Sequence, residues 1–380
     1  MAKRVNLVAP INNLGYGLFA LGYARELAKF DDIDLHIYPI HNHIEQSLFK
    51  IFDIRKWIDA HAIISDSDTI NFLIWHESGH FLDGKQILST HFEVTPPPNF
   101  HNTEPGRLIT KIGVSSAWAA KALWDSGFVE AQVCHGPVLP IGLYVEDLKN
   151  NLKEKVISLA GMDKNTIVFS SSGKFEKRKG HHRLIAAIDE TQLPILLITT
   201  WQNPFVPDAG HHYLISQNWK FVGDATYLDG RVSVFTNDYG AKIICFPKIT
   251  NYTEVLDIYA IADAHLAISA GEGWDMPAIE HMALGVPTIL SENTAHLEYI
   301  PRSDPHFVLP CGPEEARDSV FFVNPGRYWQ PVDQNSLVQC LGTLSVKPRA
   351  YYQSLSSRYS DMAHRIHEGL PSHLRSLLDL

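Results

Sequence analysis

Short apolar runs alternate with helical spacing along most of the chain, and residues 266–300 show this pattern most clearly. The apolar run at residues 266–270 is typical of a strand buried in a parallel sheet. Apolar side chains then recur at helical spacing up to Ala283, and Gly285 indicates where this helix ends. A second apolar run at residues 286–290 completes a predicted strand–turn–helix–strand unit.

The same alternation continues on both sides of a charged helical stretch at residues 145–159. Strands that alternate with helices indicate an α/β chain with parallel sheets. Strands are predicted at residues 4–10, 33–40, 69–75, 86–94, 111–115, 166–170, 193–199 and 242–248. Helices are predicted up to about residue 30, at residues 48–60, up to residue 127, from about residue 181, and at residues 253–262, 335–344 and 349–368. Residues 201–240 have looser periodicity and receive no assignment.

Length and composition restrict the class of protein. A chain of 380 residues exceeds the usual size of a single core, so two domains are expected. The net charge of -10 argues against a nucleic acid as the main partner. Four cysteines lie far apart without CxxC spacing, which favours reduced thiols and a cytoplasmic location.

Hydropathy gives no sign of a membrane span, because no stretch approaches the roughly 18–20 apolar residues that a transmembrane helix needs. The first residues, MAKRVNLVAP, are basic and then apolar, but Pro10 ends the run too early for a signal peptide. We therefore expect a soluble enzyme.

Candidate chemistry is concentrated in the turn that follows residues 266–270. Glu272 lies between Gly271 and Gly273, so its carboxylate sits in a tight turn where backbone can approach a ligand. The following helix begins near this turn, and its N-terminus would suit a phosphate. Glu280 lies one turn inside that helix and could address the same cleft. The alternatives are a solvated turn residue for Glu272 and a favourable helix-dipole contact for Glu280.

A second candidate is the basic turn at residues 173–180, which carries four cations within six positions. Such a run is usually a solvated turn. Because it lies between a predicted strand and a predicted helix, we favour pairing with a diphosphate.

Two weaker signals lie in the first half of the chain. Gly15-x-Gly17 follows the first predicted strand, but Ala20 occupies the third glycine position of a dinucleotide fingerprint, so a plain turn fits equally well. His91 lies near the end of a predicted strand, where a lone histidine is more often structural.

Residues 76–80 read HESGH and match the zinc-binding pattern HExxH. That pattern needs both histidines on one face of a helix, whereas this segment leaves a predicted strand directly and contains a glycine. We predict no zinc at this segment and no metal site elsewhere.

The segment from Glu272 to Glu280 resembles the E-x7-E motif of retaining glycosyltransferases of the GT-B type, in particular glycosyltransferase family four. Residues 173–180 resemble the phosphate loop of the same family, with Lys174 where arginine is commoner. Two positions depart from the family pattern. Trp274-Asp275 replaces an aromatic residue followed by glycine, and His135-Gly136-Pro137 differs from the usual P-x-G-V-D.

The resemblance implies an α/β fold of two facing Rossmann-like domains with the active site in the cleft between them. The first domain would be an acceptor-side domain at residues 1–155, and the second a nucleotide-sugar-binding domain at residues 156–355. A C-terminal helix at residues 356–380 would pack back on the first domain.

The resemblance also implies roles for individual residues. Glu272 would orient the transferred sugar, and His91 would hold the donor sugar or the acceptor as the second catalytic residue. Lys174 and Lys179 would neutralise the leaving diphosphate, and Glu280 would bind the ribose. The further residues that the resemblance assigns to donor binding are Gly15, Tyr16, Gly17, Gly173, Phe246, Ile249, Gly273, Trp274, Asp275 and Met276.

The reaction implied is retaining transfer of a hexosyl unit from a UDP- or GDP-linked sugar to a carbohydrate or lipid-linked acceptor, in polysaccharide or glycoconjugate synthesis. No bound metal or other cofactor is expected, and a lipid-linked acceptor would fit peripheral association with the cytoplasmic face of the membrane. Two alternatives stay open: a sugar-nucleotide epimerase on the same fold, and a non-catalytic sugar-nucleotide-binding subunit.

Overall fold

The computed structural model describes most of the chain. The described residues are 2–12, 14–44, 48, 52–59, 62–75, 82–93, 109–141, 149–203, 206, 208–227, 230–247, 249, 251–313, 315–316 and 328–380. Only the backbone is described at residues 41–43, 149–151, 315–316 and 328. The HESGH segment and residues 145–148 of the predicted charged helix lie outside the described residues.

The first half of the chain forms a parallel sheet with strand order β2-β1-β3-β4-β5-β6. The strands are β1 Lys3–Ile11, β2 Ile33–Ile44, β3 Ile70–Ile74, β4 Lys85–Ser89, β5 Ile109–Val114 and β6 Ala131–Val133. Two helices, α1 Gly15–Leu27 and α2 Ala117–Asp125, join strands of this sheet. Successive β1 side chains enter opposite apolar clusters, Leu7 in one and Val8 in the other, because side chains alternate across a strand. Continuous burial of this kind is what the apolar runs predict.

The second half forms a larger sheet with strand order β14-β13-β12-β7-β8-β11-β10-β9. Its strands are β7 Val168–Lys174, β8 Leu196–Gln202, β9 Lys220–Tyr227, β10 Gly230–Thr236, β11 Lys242–Cys245, β12 Ala264–Ala267, β13 Thr288–Ser291 and β14 Val308–Leu309. All neighbours are parallel except the β9–β10 and β10–β11 pairs, which are antiparallel. A separate antiparallel pair consists of β15 Glu315–Ala316 and β16 Tyr328–Trp329.

Helices connect and cover these strands. They are α3 Lys149–Leu159, α4 His181–Thr191, α5 Ala209–Ser216, α6 Tyr252–Ala260, α7 Met276–Ala283, α8 Gln334–Ser345 and α9 Arg349–Leu378. Short 3-10 turns lie at Arg55–Trp57, Lys177–Lys179, Thr294–Glu298 and Pro305–Phe307. The predicted α/β fold with two Rossmann-like parallel sheets is confirmed.

The unassigned residues 201–240 contain α5 and the hairpin of β9 and β10. The hairpin extends the parallel sheet with an antiparallel edge. Its outer strand is largely exposed, with Phe221 and Val222 both more than half accessible to solvent. An edge strand without a buried face has no alternating pattern, which is why its periodicity was not recognisable.

The helix predicted at residues 48–60 is wrong. In the described part of this segment, Leu48 and residues Arg55–Trp57 have 3-10 conformation, and no α-helix is present there. Residues 52–54 have no regular secondary structure, with Phe52 and Ile54 buried and Asp53 exposed. Ile58 then bridges to Ile37 in β2, so pairing with the sheet overrides the helical spacing.

Several boundaries differ from the prediction in ways that affect the site. Gly173 and Lys174 are the last residues of β7 and not part of a loop. Gly15, Tyr16 and Gly17 form the first turn of α1, where a turn before the helix was predicted. Glycine is required at position 17, because a Cβ at this position would lie closer than 3.0 Å to the backbone of Asn12. The predicted strand at residues 86–94 ends at Ser89, so His91 lies beyond the strand.

The last helix, α9, continues beyond the predicted end at residue 368 to Leu378. The helix contains Pro371, with Gly369 two residues before it. The C-terminal half is nevertheless held by burial of its leucines, and Leu377 packs against Gly113 of β5. The N-terminal half contacts the second sheet's domain, with Ser356 against Gly285.

Candidate functional site

The candidate site lies where the order of the second sheet reverses. The chain leaves β7 for β8 on one side, and β12 joins β7 on the other side. Ligands in open α/β sheets bind in the crevice at the carboxyl ends of strands at such a point. The basic turn follows β7 and the Glu272 turn follows β12, so two segments about ninety residues apart in sequence meet here.

The basic turn is shaped by close backbone packing. Residues Lys177–Lys179 form a 3-10 turn that ends at Gly180 with a φ of 74°. A Cβ on Gly180 would lie 2.7 Å from the backbone oxygen of Ile268, so glycine is required both for the left-handed conformation and for the close approach. This packing brings the basic turn against the segment that leads to Glu272.

Lys179 and Glu272 form a buried ion pair, with Nζ 2.6 Å from Oε1. The same Nζ lies 3.3 Å from Oδ1 of Asp275. Burial opposes the charge on Lys179, but Asp275 and Glu272 outweigh it and raise the pKa of the ammonium group. Lys179 is therefore a fixed positive charge at the centre of the site.

Arg178 is the second cation of the cluster. Its Nη1 lies 2.9 Å from Oε1 of Glu272 and donates to the backbone oxygen of Gly271 at 2.7 Å. Its Nη2 donates to Glu176 at 2.8 Å and lies 3.6 Å from Glu93 of the first sheet's domain. Burial lowers the pKa of the guanidinium group, but the surrounding carboxylates outweigh burial and raise it.

Arg178 was not predicted as a site residue, because the pattern of the family that the chain resembles emphasises the first and last cations of the run. The structure puts Arg178 beside Glu272, whereas Lys174 is more exposed and lies 3.6 Å from Glu176. The adjacency of Arg178 and Lys179 was the available signal, since consecutive residues of a tight turn can face one partner.

Asp275 is a buried residue with a φ of 59°, directly before α7. Its Oδ2 lies 2.9 Å from Nε2 of His296, whose Nδ1 lies 2.9 Å from Oγ of Ser291. Burial raises the pKa of Asp275, but Lys179 and His296 outweigh it and hold that pKa well below its ordinary value. His296 was not predicted from the sequence.

Loop residues of the first sheet's domain cover the Glu272 turn. A Cβ on Gly271 would lie closer than 3.0 Å to the backbone oxygen of Glu93, and one on Gly273 would lie 2.7 Å from Cβ of His91. The backbone N–H of Glu272 donates to Oγ1 of Thr294 at 2.8 Å. The two glycines are therefore required by packing between the domains.

His91 has a hydrogen-bond partner at one ring nitrogen and none among the described residues at the other. Its Nδ1 lies 3.1 Å from Oγ of Ser115, and its ring packs on Phe19 at 4.1 Å and Tyr16 at 5.2 Å between centroids. Its Nε2 is buried and has no hydrogen-bond partner among the described residues. Burial lowers the pKa of His91 to about 3, so the imidazole is neutral at working pH.

Tyr16 belongs to the same group. Its hydroxyl donates to the backbone oxygen of His91 at 3.3 Å, and burial raises its pKa to about 12. Tyr16 therefore positions His91 and remains uncharged.

Glu280 is buried in α7 and accepts a hydrogen bond from the hydroxyl of Tyr252 at 2.6 Å. The described residues include no ion pair to its carboxylate. Burial is the main cause that raises its pKa to about 8, and the charge of Asp275 adds to it while Tyr252 opposes it. A buried carboxyl group with one protein partner is suited to accept hydroxyl groups of a ligand.

The other residues assigned to donor binding differ in their positions relative to this cluster. The indole of Trp274 stacks on His135 at 5.6 Å and 21° and faces Gly136. Phe246 packs edge-on to Tyr227 at 4.9 Å, and Ile249 borders the same apolar cluster. Gly15 is exposed, Met276 is half-buried against the core, and Gly173 lies against the side chain of Lys179. The ligand roles assigned to all the site residues stay predictions.

In the part of the chain that the structure describes, histidine, cysteine and acidic side chains form no group of three or more that could hold a metal ion. The described helices include none with the length and apolarity needed to cross a membrane.

Comparison with solved structures shows the fold. The Anabaena protein HepE, solved in complex with UDP and glucose, is 12% identical with a TM-score of 0.60, and the match covers 98% of this chain and 100% of HepE. Sucrose-phosphate synthase from Thermosynechococcus elongatus is 14% identical with a TM-score of 0.62, covering 99% of this chain and 98% of that one. A glycosyltransferase from Rickettsia africae is 12% identical with a TM-score of 0.59, covering 99% of both chains.

At the level of sequence, no protein-family profile and no curated protein matches the chain. The similarity to solved structures extends over the full length at low identity, so it concerns the fold: the chain has the two-domain α/β fold of GT-B glycosyltransferases.

Proposed function

We propose that this protein is a retaining glycosyltransferase, similar to glycosyltransferase family four, that moves a hexosyl unit from a nucleoside diphosphate sugar to a carbohydrate or lipid-linked acceptor. One observation carries the proposal. Lys179 and Glu272 lie 2.6 Å apart at the carboxyl ends of β7 and β12, with His91 of the other domain against the same turn. A diphosphate-binding cation and a hydroxyl-binding carboxylate are thereby adjacent.

The likeness to solved structures supports the choice of donor. HepE was solved with UDP and glucose, and the other two proteins are named as a sucrose-phosphate synthase and a glycosyltransferase. We propose a UDP- or GDP-linked donor and no resident cofactor.

Transfer requires stabilisation of the leaving diphosphate, whose charge grows in the transition state. Lys179 is buried and Arg178 is largely buried, both at fixed positions, so their field acts at low dielectric and needs little reorganisation. Lys174, at the more exposed end of the strand, would reach the diphosphate from outside.

The sugar and ribose need hydroxyl-binding groups. Glu272 would accept hydroxyls of the transferred sugar, and the neutral His91 would use its unpartnered Nε2 for another hydroxyl. Glu280 would accept hydroxyl groups of the ribose while Tyr252 donates its hydroxyl proton to Oε1 of the same carboxyl group. Water would be excluded by the loop of the first domain that covers the Glu272 turn.

The test is incubation with UDP- and GDP-linked hexoses in the presence and absence of glycan and lipid-linked acceptors, followed by proton NMR. Transfer or slow donor hydrolysis with retained anomeric configuration is expected. Inverted configuration would contradict a retaining mechanism. Conversion of the sugar into its epimer with donor alone would instead identify an epimerase, and binding without any turnover would indicate a binding subunit.

A further inference from the structure

Asp275 occupies a position where the resemblance leads one to expect glycine, and its backbone keeps the left-handed conformation that glycine prefers. An aspartate at this position is unfavourable for the backbone by itself. Asp275 immediately precedes α7, yet its side chain accepts no capping hydrogen bond from that helix. Helix capping therefore does not explain the residue.

The carboxylate of Asp275 is instead directed to the cation of the site. It lies 3.3 Å from Nζ of Lys179 and 2.9 Å from Nε2 of His296, and its side chain is 4% exposed. Further charged or titratable groups around it are Glu272, Arg178, Glu280, His181, His265, His281 and Tyr299. Two carboxylates, Glu272 and Asp275, pair with two cations, Arg178 and Lys179, so the nearest charges sum to zero.

A diphosphate that contacts Lys179 meets a cation already paired with two carboxylates. Either Lys179 leaves Asp275, or the ligand's charge comes to lie beside a buried carboxylate. Both outcomes cost free energy, because a buried charge that loses its partner is destabilised and like charges in contact repel. Glu272 can be compensated by sugar hydroxyls, whereas Asp275 would keep only His296 as a described partner.

We propose that Asp275 is a specificity-determining residue of the donor site, an internal anion that competes with the ligand's diphosphate for Lys179. This inference rests on the proposed function. It implies that the site binds nucleoside diphosphates and pyrophosphate weakly, and that productive binding depends on the additional contacts of the sugar and ribose. Selection would then favour the intact donor over its nucleoside diphosphate product.

A purely structural role for Asp275, as an anchor for His296, makes the opposite prediction. Removing an anchor loosens the site and weakens ligand binding. Removing a competing anion strengthens ligand binding. The sign of the change in affinity therefore separates the two roles.

The experiment is titration calorimetry of the wild type, Asp275→Asn and Asp275→Gly with UDP, GDP, ADP and pyrophosphate. Asparagine and glycine both tolerate the left-handed backbone, and each removes the charge. The matched control is Asp263→Asn, which removes another buried, ion-paired carboxylate, 2.6 Å from Lys153 and at the opposite end of β12 from the Glu272 turn. Thermal unfolding of each variant identifies those that fold.

We expect both Asp275 variants to bind the diphosphate group about tenfold tighter or more, and Asp263→Asn to bind as the wild type does. Binding by the variants alone would also support the inference. Unchanged or weaker affinity in folded Asp275 variants overturns it while leaving the proposed function intact. If neither the wild type nor any variant binds any of the nucleotides, both the inference and the proposed function are overturned.

A measurement on the wild type decides the matter if neither Asp275 variant folds. Nucleotide binding is measured at one pH in two buffers with different ionisation enthalpies. Net proton uptake is expected, because the negative charge that a diphosphate adds beside Glu272 and Asp275 favours protonation of these carboxylates. Binding without proton uptake overturns the inference.

Discussion

Gly136 faces the indole of Trp274, and a Cβ at position 136 would lie closer than 3.0 Å to Nε1 of that ring. Each residue lies in one of the two segments where the sequence departs from the pattern of the glycosyltransferase family that it resembles. The ring of His135 stacks on the indole of Trp274. Nε2 of His135 lies 3.2 Å from Oε2 of Glu298, and Oε1 of Glu298 accepts a hydrogen bond from the backbone N–H of Ala117 at 2.6 Å. The two departures are thus one contact between the domains, next to the candidate site.

Gly136→Ala should lower the free energy of unfolding by roughly 1–3 kcal/mol, because an added methyl group in a packed region forces side chains from their positions. Urea denaturation measures this change. The control is Gly342→Ala in α8, where nothing lies within 4 Å of a new Cβ. That control should be neutral or stabilising, since alanine is favoured over glycine in a helix. Equal effects of the two substitutions would contradict the contact.

Lys179→Ala should weaken binding of nucleoside diphosphates by roughly 1.5–3 kcal/mol, the usual contribution of hydrogen bonds to charged groups. Calorimetric titration with UDP and GDP measures it. Lys177→Ala is the matched control, because Lys177 belongs to the same turn but is exposed. The control should change affinity by no more than about 0.5 kcal/mol. If Lys179→Ala binds every nucleotide as the wild type does, Lys179 is not part of the site.

Glu272→Gln should lower kcat more than it raises KM, because a contact with the transferred sugar strengthens as the glycosidic bond breaks. Glu280→Gln should act mainly on KM, because a ribose contact is similar in the ground and transition states. Steady-state kinetics of both variants measures these effects on kcat and KM, and circular dichroism excludes misfolding. Raised KM with unchanged kcat in both variants would contradict these roles.

The contribution of Glu280 to the free energy of unfolding should fall as the pH rises from about 4.5 to about 8. Burial holds its pKa in the folded state at about 8, against 4.5 for the free side chain, so the folded protein keeps a proton that the unfolded chain releases. This stabilising contribution of Glu280 is fully present below pH 4.5 and is lost as the pH rises through about 8.

Glu280→Gln removes this titration and keeps an acceptor for Tyr252. Relative to the wild type, the variant should therefore gain a few kcal/mol between pH 5 and pH 8.5 in urea denaturation experiments. Glu154→Gln, at an exposed position of α3, serves as the control and should show no such trend. A constant difference between wild type and Glu280→Gln over this range would show that Glu280 titrates normally.

Patterns within single elements were largely readable from the sequence. The apolar runs of β1, β3, β7 and β12 identified two parallel sheets, because strands buried on both faces have few polar positions. The hairpin of β9 and β10 was missed, because its outer strand β9 is exposed and has no buried face that would give such a pattern. The helix predicted at residues 48–60 failed because pairing with β2 decided the conformation there.

The sequence by itself determined the α/β class, the strand–turn–helix unit around Glu272 and the presence of a basic turn, since these follow from local spacing and composition. Only the tertiary structure decided which charges meet. The pairing of Arg178 with Glu272, of Asp275 with Lys179 and His296, and the burial that raises the pKa of Glu280 all depend on contacts between distant segments. Coulomb energy and desolvation depend on distance and burial in space, which residue order does not specify.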